Sequence, residues 1–556
     1  MKSINVSRCL LPLLLLSCKT KPTEKTKDTR LNILWISAED LSPRLACYGD
    51  TLAKTSTLDW LAENGITFTN AYVTAPVSAP SRACIITGMY ATSIGGHNMR
   101  TISKSSVIAK DKSKKYIDYL SLPLYEAVPD TMVRCFTEYL RLAGYYCTNN
   151  SKTDYNFYPP VTAWDECSNT AHWRNRPKGK PFFAVFNFMD THESQIWSRK
   201  DNPLRIDPTK VTVPPYYPNT EKVRRDIARQ YDNLMTMDEK IAILIDQLQE
   251  DSLLDNTVIF FFSDHGDGFP RAKRVLYESG IRVPLIVALP GKEDDNVKDD
   301  RLVSFVDLAP TVLSLAGVPI PSYMQGIAFL GPQRGKDRQY IYAAADRMDC
   351  AVDAQRAVKD KQYKYIVNYM PQVPYVQDIP YRNQMDLMQE LYKMATSGKG
   401  TKEQMLWFRK TKPAEELYDV YADPYELKNL ATDPAYADIL SRMRSAFTDW
   451  QKNTNDLGLM KERNLIQYLW KSNIQPKTKN PEITFAHRGK KQILVTINNH
   501  TPGASVGYKM ASESGEWKIY TKPFLLDNAA NDTLWVVAHR IGFKASDTIK
   551  HHIGRR

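Results

Sequence analysis

Three short, nearly continuous runs of apolar residues constrain the fold more than any other feature of the sequence. They span residues 31–37, 181–188 and 256–263. Runs of this length are typical of strands that are buried on both faces, as in a parallel sheet. Apolar residues from 223 to 248 recur every three or four positions, which predicts a long helix packed on the sheet. Predicted strands and helices alternate along the chain to about residue 330. This alternation predicts an α/β fold with a large, mostly parallel sheet sandwiched by helices.

Acidic residues and histidines follow these apolar runs. Glu39 and Asp40 come after the first run, His192 after the second, and Asp264 and His265 after the third. Open α/β sheets bind their ligands at the carboxyl ends of the strands. We therefore expect these side chains at the ligand-binding edge of the sheet.

The segment 78–82, with the sequence SAPSR, combines a hydroxyl group, a proline and an arginine. Pro80 suits the first position of a helix, where its missing N–H costs nothing and its φ is already suitable. Ser78 would then lie at the positive end of the helix, where backbone N–H groups favour an anion. Arg82, one turn further on, offers a permanent charge and a planar set of donors to sulfate or phosphate oxygens.

The charge of the chain favours a polyanionic partner. There are 74 Lys and Arg residues against 62 Asp and Glu residues, a formal net charge of +12. Such an excess favours encounter with polyanions. We find no zinc-finger spacing, no RNP-like aromatic motif and no long basic run, so nucleic acid is not the expected partner.

The first 18 residues resemble an export signal. Basic residues precede the apolar run 10–16, which is too short to span a bilayer, and Cys18 ends a sequence that resembles a bacterial lipoprotein box. We therefore expect a signal peptide at 1–18, a lipidated Cys18 and a charged tether at 19–30. The chain would then be exported to the bacterial periplasm or cell surface and anchored there by lipid. The alternative is a plain export signal with an incidental cysteine.

The segment 78–82, followed by Thr87-Gly88, resembles the signature of the type I sulfatases, Cys/Ser-x-Pro-x-Arg before a helix that contains Thr-Gly. In that family, part of the alkaline-phosphatase-like superfamily, the first residue is oxidised to formylglycine, and here it would be Ser78. The serine form resembles the one matured by an oxygen-independent radical enzyme. The resemblance covers roughly residues 31–450 and implies the family's fold, with a small carboxy-terminal α+β subdomain.

The resemblance also implies roles for individual residues. The implied catalytic residues are Ser78, Arg82, Lys152, His192 and Lys273, and the implied metal ligands are Glu39, Asp40, Asp264 and His265. The metal would be one divalent cation, and Ca²⁺ is expected because the ligands are rich in oxygen. One hydroxyl of the formylglycine hydrate would attack sulfur, the basic residues would stabilise the developing charge, and His192 would protonate the leaving group.

The chain departs from the family at Asp154, which stands where sulfatases usually carry the histidine of Gly-Lys-x-His. A carboxylate beside a sulfate would repel it. We therefore expect Asp154 to hold Lys152 in place or to face the sugar, and we expect loop residues to recognise the substrate. The candidate substrate-binding residues are His97, Arg100, Asp154, His172, Arg174 and Arg176.

Composition divides the chain into three parts after the tether. We expect a catalytic domain at 31–335, a sulfatase carboxy-terminal subdomain at 336–470 and a β-sandwich-like accessory module at 485–556. In the last part, apolar residues at every second position of 493–497 predict a strand. This part resembles the small β modules of glycan-degrading enzymes.

The resemblance implies hydrolysis of a sulfate ester or sulfamate on a sulfated polysaccharide or oligosaccharide. The run 213–220 resembles the N-sulfoglucosamine sulfohydrolase branch, but the sequence leaves open whether an N–S or an O–S bond is cleaved. The other implied partner is the maturation enzyme that oxidises Ser78. Two further functions stay open: a phosphate or phosphonate monoester hydrolase that uses unmodified Ser78, and a non-catalytic glycan-binding lipoprotein.

Overall fold

The structure is a computed structural model, and it describes residues 30–100, 122–291, 296–489, 491–513, 515–527 and 531–554. Residues 1–29 lie outside the described residues. They contain the predicted signal peptide with Cys18 and all of the predicted tether except residue 30. In the described ranges no helix combines the length and the apolar character that crossing a membrane requires.

An eight-stranded sheet lies at the centre of the amino-terminal part of the chain. Its strands, in chain order, are β1 (Asn32–Ala38), β2 (Gly65–Tyr72), β3 (Tyr146–Asn150), β4 (Glu166–Cys167), β5 (Phe182–Phe188), β6 (Thr257–Ser263), β7 (Leu285–Ala288) and β8 (Val297–Ser304). They are ordered β4-β3-β5-β1-β6-β7-β2-β8. Only β7 is antiparallel to its neighbours β6 and β2. The predicted α/β class with a large, mostly parallel sheet is thus confirmed.

Strand β1 shows why the apolar runs are continuous. Ile33 and Trp35 pack into one hydrophobic cluster, whereas Leu34 and Ile36 pack into another. Successive side chains of a strand point to opposite faces of the sheet. Both faces of β1 are therefore buried, and no position between Ile33 and Ile36 is left for a solvated polar side chain.

Helices cover the two faces of the sheet. In chain order they are α1 (Ser56–Glu63), α2 (Ser78–Thr87), α3 (Phe136–Leu142), α4 (Ser194–Ser198), α5 (Glu221–Glu250), α6 (Glu278–Ile281) and α7 (Leu308–Leu315). The predicted long helix is α5, and its Val223 and Tyr231 pack in the cluster of Leu34. Helix α2 lies on the other face, where Ala83 packs in the cluster of Trp35.

Two local features differ from what the sequence pattern predicts. Helix α2 begins at Ser78, so Pro80 is its third residue and not its first. Pro80 still costs nothing there, because the first four N–H groups of a helix have no intrahelical partner. Gly65 follows α1, where a glycine is expected to be left-handed, yet it starts β2. A Cβ atom at Gly65 would lie 2.5 Å from the carbonyl oxygen of Val287, so the close approach of β7 requires glycine.

A second, antiparallel sheet with helices follows in the chain. Its strands are β9 (Ile341–Ala345), β10 (Gln355–Lys359), β11 (Tyr363–Asn368) and β12 (Glu415–Asp419), and the helices of this part are α8 (Asp386–Ser397), α9 (Lys402–Met405), α10 (Ala437–Thr454) and α11 (Glu462–Leu469). The strand order is β12-β11-β10-β9. This part is the small α+β unit of the predicted fold class.

Residues 482–553 form two further small sheets, which we call the terminal β module. Its strands are β13 (Glu482–Arg488), β14 (Gln492–Asn498), β15 (Ser505–Met510), β16 (Lys518–Ile519), β17 (Phe524–Asp527), β18 (Asp532–His539) and β19 (Ile549–Ile553). One sheet has the order β13-β14-β17, and the other has the order β16-β15-β18-β19. The module packs against the α/β part, where the Ser505 hydroxyl donates a hydrogen bond of 2.6 Å to Glu138 Oε1.

Candidate functional site

The carboxyl ends of β5, β1 and β6 lie side by side. Ala38, the last residue of β1, is paired with Phe188 of β5 and with Ser263 of β6. The polar residues that follow the three strands therefore meet at one edge of the sheet, as expected. Among them Glu39, Asp40, Thr191, Asp264 and His265 have no exposed surface.

The start of α2 places Ser78 at this edge. Val77, just before the helix, is extended, and its carbonyl accepts a 3.3 Å hydrogen bond from the N–H of Ser81. The buried Ser78 hydroxyl lies 3.2 Å from Nε2 of His265 and 3.4 Å from Oε2 of Glu39. It also lies at the positive end of a ten-residue helix. The hydroxyl group is therefore fixed where an anion is favoured.

Arg82, one turn into α2, reaches two of the strand ends. Its guanidinium pairs with Glu39, and its Nε lies 3.1 Å from Oδ2 of Asp264. Its Nη1 donates a 2.8 Å hydrogen bond to Oδ1 of Asn187 in β5. These contacts fix the cation in one position, because the donors of the guanidinium form a rigid fork that three partners hold.

Two lysines bring further positive charge. Lys152 pairs with Glu39. Lys273 Nζ lies 2.7 Å from Oδ2 of Asp40 and 2.9 Å from Oε1 of Glu193. Together with Arg82, the lysines surround the buried carboxylates with cations from three separate segments of the chain. We call the central cluster the group of Glu39, Asp40, Ser78, Arg82, Lys152, His192, Asp264, His265 and Lys273.

The ionisation of the central cluster follows from these contacts. Burial by itself would raise the pKa of Glu39, but Lys152 and Arg82 outweigh it and hold that pKa well below its usual range. Burial would likewise raise the pKa of Asp40, and Lys273 reverses the direction. Burial opposes a charge on His265, yet the neighbouring carboxylates raise its pKa. Glu39 and Asp40 are therefore ionised at neutral pH.

The donors of the central cluster fit one divalent cation. Ligand atoms of Asp40, Asp264 and His265 lie within 4.8 Å of one another, and so do those of Glu39, Asp40 and His192. Asp40 belongs to both groups. Three carboxylates with one or two imidazoles suit a divalent ion, and the carboxylate oxygens are the ligands that Ca²⁺ prefers.

His192 faces the central cluster with one ring nitrogen. Its Nδ1 accepts a 3.2 Å hydrogen bond from the backbone N–H of Ser194 at the start of α4. Its Nε2 lies 3.5 Å from Nζ of Lys273. Burial, and then the charge of Lys273, lower the pKa of His192 below its usual value. The imidazole is thus oriented by Ser194, with Nε2 available to a substrate.

The site includes polar residues that are not among the predicted ones, and three of them are Glu193, Arg274 and Asn187. The N–H of Glu193 donates a 2.7 Å hydrogen bond to Asp40, and its carboxylate pairs with both Lys273 and Arg274. Asn187, already described as a partner of Arg82, is the third. Asn187 could have been found, because it is a polar residue inside an otherwise apolar strand. Glu193 and Arg274 give no such signal, since only their positions next to candidate residues single them out.

Asp154 is paired with Arg100 and not with Lys152. Nε and Nη2 of Arg100 lie 2.8 and 2.6 Å from the two carboxylate oxygens. Burial would raise the pKa of Asp154, but Arg100 lowers it. Both residues have left-handed backbones, with φ of 57° at Arg100 and 51° at Asp154. Such conformations cost of order 1 kcal/mol each and are concentrated at functional sites. Of the two expectations for Asp154, that it holds Lys152 in place is corrected, and that it faces the sugar stays a prediction.

A cleft of about 810 Å³ adjoins the central cluster at Lys152, and we call it the main cleft. The ion pair of Arg100 and Asp154 lines it, together with six aromatic side chains. These aromatic residues include Tyr125, Tyr155, Tyr158, Trp164 and, from the terminal β module, Trp517. Aromatic rings beside charged groups suit a charged sugar, which has apolar ring faces and polar edges.

The structure does not bring the other four candidate substrate-binding residues to this edge. The guanidinium of Arg176 lies 5.3 Å from the ring of Phe182, the first residue of β5. His172 and Arg174 contact the last residues of α5, such as Gln247. Arg176 therefore lies at the opposite, amino-terminal end of β5, and Arg174 lies beside the end of α5. The ring of His172 lies 5.4 Å from that of Phe186, further along β5.

His97 is buried and lies apart from the central cluster. It is 3% exposed, and the charged residues that affect it are those of the α+β unit, including Arg356. Burial, and then Arg356, lower its pKa to about 3. We therefore assign this neutral, buried imidazole to the packing of the α/β part against the α+β unit. Of the six candidates, only Arg100 and Asp154 line the main cleft.

We expect Glu193→Ala to destabilise the protein by about 3 kcal/mol, because it leaves Lys273 and Arg274 buried with one carboxylate fewer. The control is Glu250→Ala, which removes one of the two carboxylate partners of Arg174 on the surface, where the Glu250 side chain is 67% exposed. It should cost less than about 1 kcal/mol. Unfolding by urea measures both changes, and equal costs would contradict the arrangement.

The effect of Glu193→Ala should also depend on pH. Burial would raise the pKa of Glu193, but Arg274 and Lys273 lower it from 4.5 to about 2. A carboxylate with a lowered pKa contributes its stability above the unfolded pKa and loses it as the pH falls. The difference between wild type and variant should therefore shrink as the pH drops from 4.5 towards 2.

Comparison with known proteins agrees with this geometry. The family model described as Sulfatase matches residues 31–318, and that described as N-sulphoglucosamine sulphohydrolase, C-terminal, matches residues 269–397. An ulvan-active sulfatase of Formosa agariphila is 43% identical over 570 residues, which cover 95% of this chain and 92% of that protein. N-sulphoglucosamine sulphohydrolase of Homo sapiens is 25% identical over 492 residues, which cover 81% and 93%.

The fold is also that of a solved structure in complex with its substrate, D-glucosamine-2-N,6-O-disulfate. The TM-score is 0.55 at 18% identity, and the match covers 78% of this chain and 100% of the other. This similarity supports the fold alone. The family model and the 43% identical relative cover most of the chain, so the chain belongs to the sulfatase family.

Proposed function

We propose that this sulfatase removes sulfate from a sulfated polysaccharide and that Ser78, oxidised to formylglycine, is its nucleophile. The observation that carries the proposal is the position of the Ser78 side chain. It is buried at the start of α2, 3.2 Å from His265 and beside a carboxylate that is paired with Arg82 and Lys152. An aldehyde hydrate here would supply two hydroxyl groups, one to attack sulfur and one to expel sulfate afterwards.

The residues of the central cluster would divide the remaining work. Arg82, Lys152 and Lys273 stabilise the negative charge that develops on the sulfate oxygens. They need no movement to do so, because each is already held by a buried carboxylate. His192 donates a proton to the leaving oxygen or nitrogen through Nε2, while Ser194 holds its other ring nitrogen.

One divalent cation, with Ca²⁺ as the expected metal, would be held by Glu39, Asp40, Asp264 and His265. When bound it would supply positive charge that polarises the sulfate group. Glu39 and Asp40 are ionised, as cation binding requires. Their ion pairs with Arg82 and the lysines prevent mutual repulsion of these carboxylates where no cation is bound.

The proposed substrate is a polyanionic glycan of the ulvan type. The relative with 43% identity is named an ulvan-active sulfatase, whereas the relative named for N-sulphoglucosamine is 25% identical. The difference favours ulvan over an N-sulphoglucosamine substrate. Arg100 and Asp154 would then contact the sugar that carries the sulfate. An exported chain with a lipid anchor at Cys18, matured by an oxygen-independent formylglycine-generating enzyme, would meet such a polysaccharide outside the cell.

The first test replaces the nucleophile. Ser78→Ala should fold normally and lose activity by about a thousandfold or more, because no hydroxyl or aldehyde remains at position 78. The measurement is sulfate released from ulvan, heparin and chondroitin sulfate by protein produced together with the maturation enzyme. Ser78→Cys is the matched control, and it should be active only in a host whose enzyme oxidises cysteine. Full activity of Ser78→Ala would rule out the mechanism.

The competing functions give different results in the same assays. A phosphate or phosphonate monoester hydrolase would cleave an aryl phosphate or phosphonate faster than the corresponding aryl sulfate. A non-catalytic lipoprotein would cleave neither, although it would still bind the glycan. We expect the aryl sulfate to react faster, because Arg82, Lys152 and Lys273 surround the site with fixed cations.

The second test removes a metal ligand. Asp264→Asn should lower both the metal content and the rate, by about a hundredfold, because it removes one of the buried negative charges that bind the cation. Elemental analysis of the purified protein measures the metal. If a chelator and this substitution both leave the rate unchanged, no catalytic cation is held here.

The third test concerns the ion pair in the main cleft. Asp154→Ala should lower the activity on the sulfated polysaccharide about tenfold more than the activity on an aryl sulfate, because the small ester makes no sugar contacts. Measuring kcat/KM on both substrates gives the ratio. An equal loss on both would instead indicate that Asp154 takes part in the sulfate chemistry.

A further inference from the structure

A row of alternating tryptophan and lysine side chains crosses one sheet of the terminal β module. Lys509 of β15 is directly paired with Trp535 of β18, which is directly paired with Lys550 of β19. Trp517, just before β16, lies on the other side of Lys509, with its ring centroid 5.1 Å from Nζ. We call Trp517, Lys509, Trp535 and Lys550 the Lys–Trp row.

The row lies on the face of the sheet that is turned away from the core of the module. The neighbours of Trp535 in β18, Leu534 and Val536, are buried in that core. Because side chains alternate along a strand, Trp535 points to the other face, and its cross-strand partners point the same way. Lys550 is exposed, and the other three members of the row are partly exposed.

The tryptophans fix the two ammonium groups. Nζ of Lys509 lies 5.2 Å from the centroid of Trp535, and Nζ of Lys550 lies 4.4 Å from it, both within cation–π range. Lysines on a surface are usually flexible, and holding them against rings lowers the entropy lost when an anion binds. The row therefore presents two positioned positive charges.

These two charges are also not neutralised. In the described part of the chain neither Lys509 nor Lys550 forms an ion pair with a carboxylate. Other lysines of the same module do, since Lys477 pairs with Asp547 and Lys518 pairs with Glu513. The positive charge of the row is thus available to an external anion.

The row continues from the main cleft. Trp517, its first member, lines that cleft together with Lys152 and Asp154. The backbone carbonyl of Trp517 accepts a 2.5 Å hydrogen bond from Arg141 of α3, which fixes this end of the module against the α/β part. A chain molecule bound in the cleft could therefore extend from the central cluster onto the sheet.

We propose that the Lys–Trp row is a binding surface for the sulfated polysaccharide, which extends over it while one sulfate lies in the central cluster. This inference rests on the proposed function for its substrate. Lys509 and Lys550 are two strand spacings apart, roughly 10 Å, which is comparable with the length of a disaccharide. The row would bind sulfates of successive repeating units, and the enzyme would act on long chains rather than on single sugars.

The test uses the full-length Ser78→Ala protein, so that binding is measured without hydrolysis. Its migration is followed in gels that contain ulvan, and in gels that contain chemically desulfated ulvan. Adding Lys509→Ala and Lys550→Ala should weaken the retardation by ulvan about tenfold in apparent Kd. The matched control adds Lys518→Ala and Lys522→Ala, which remove the same charge from the same module outside the row. Circular dichroism verifies the fold of each protein.

The same pair of lysine substitutions is then made in the protein that keeps Ser78, and kcat/KM is measured on ulvan and on an aryl sulfate. The value for ulvan should fall about tenfold relative to the value for the aryl sulfate. A row variant that binds and cleaves ulvan as the control does overturns the proposal, and so does equal retardation by desulfated ulvan. If the Ser78 protein cleaves no sulfate ester, the proposed function fails, whereas the gel measurement still decides whether the row binds the polysaccharide.

Discussion

The structure depends on the neutralisation of two carboxylates, Glu39 and Asp40, that β1 carries into the interior. Burying an ionised carboxylate costs several kcal/mol unless oppositely charged groups surround it. Here the compensating cations are Arg82, Lys152 and Lys273, which come from α2 and from two loops. The site can therefore form only when segments separated by more than a hundred residues are in place, so catalytic geometry and tertiary fold are assembled together.

The charges of the central cluster balance among themselves, and this has a consequence for binding. Three carboxylates face three cations, so the centre has little net charge with which to attract a polyanion from a distance. The formal charge of +12 must act from the surface of the protein. Lys550 is one such surface charge. It is exposed and has no carboxylate partner among the described residues, so it can attract a polyanion.

Much of the architecture could be predicted because burial leaves a direct pattern in the sequence. The continuous apolar run of β1 and the residues after it, Glu39 and Asp40, predict both the sheet and its functional edge. Pairings between distant side chains leave no such pattern. The contact of Glu193 with Arg274 joins residues 81 positions apart, and no periodicity in either segment indicates it. The same holds for the pairing of Asp154 with Arg100.

Where the sequence misleads, the cause is a loop that runs from one edge of the sheet to the other. His172, Arg174 and Arg176 lie between β4 and β5, so they follow one parallel strand and precede the next. The ring of His172 lies 5.4 Å from that of Phe186 in β5, whereas the guanidinium of Arg176 lies near Phe182, where β5 begins. His192 follows β5 directly and stays at the functional edge. Chain direction alone does not separate these cases.

The most direct test of the account is the mass of the peptide that contains Ser78, taken from protein made with and without an oxygen-independent maturation enzyme. The account predicts that the peptide loses two hydrogens when serine becomes formylglycine, and that sulfatase activity rises in proportion to the modified fraction. Full activity in protein whose Ser78 peptide keeps the mass of serine would contradict it.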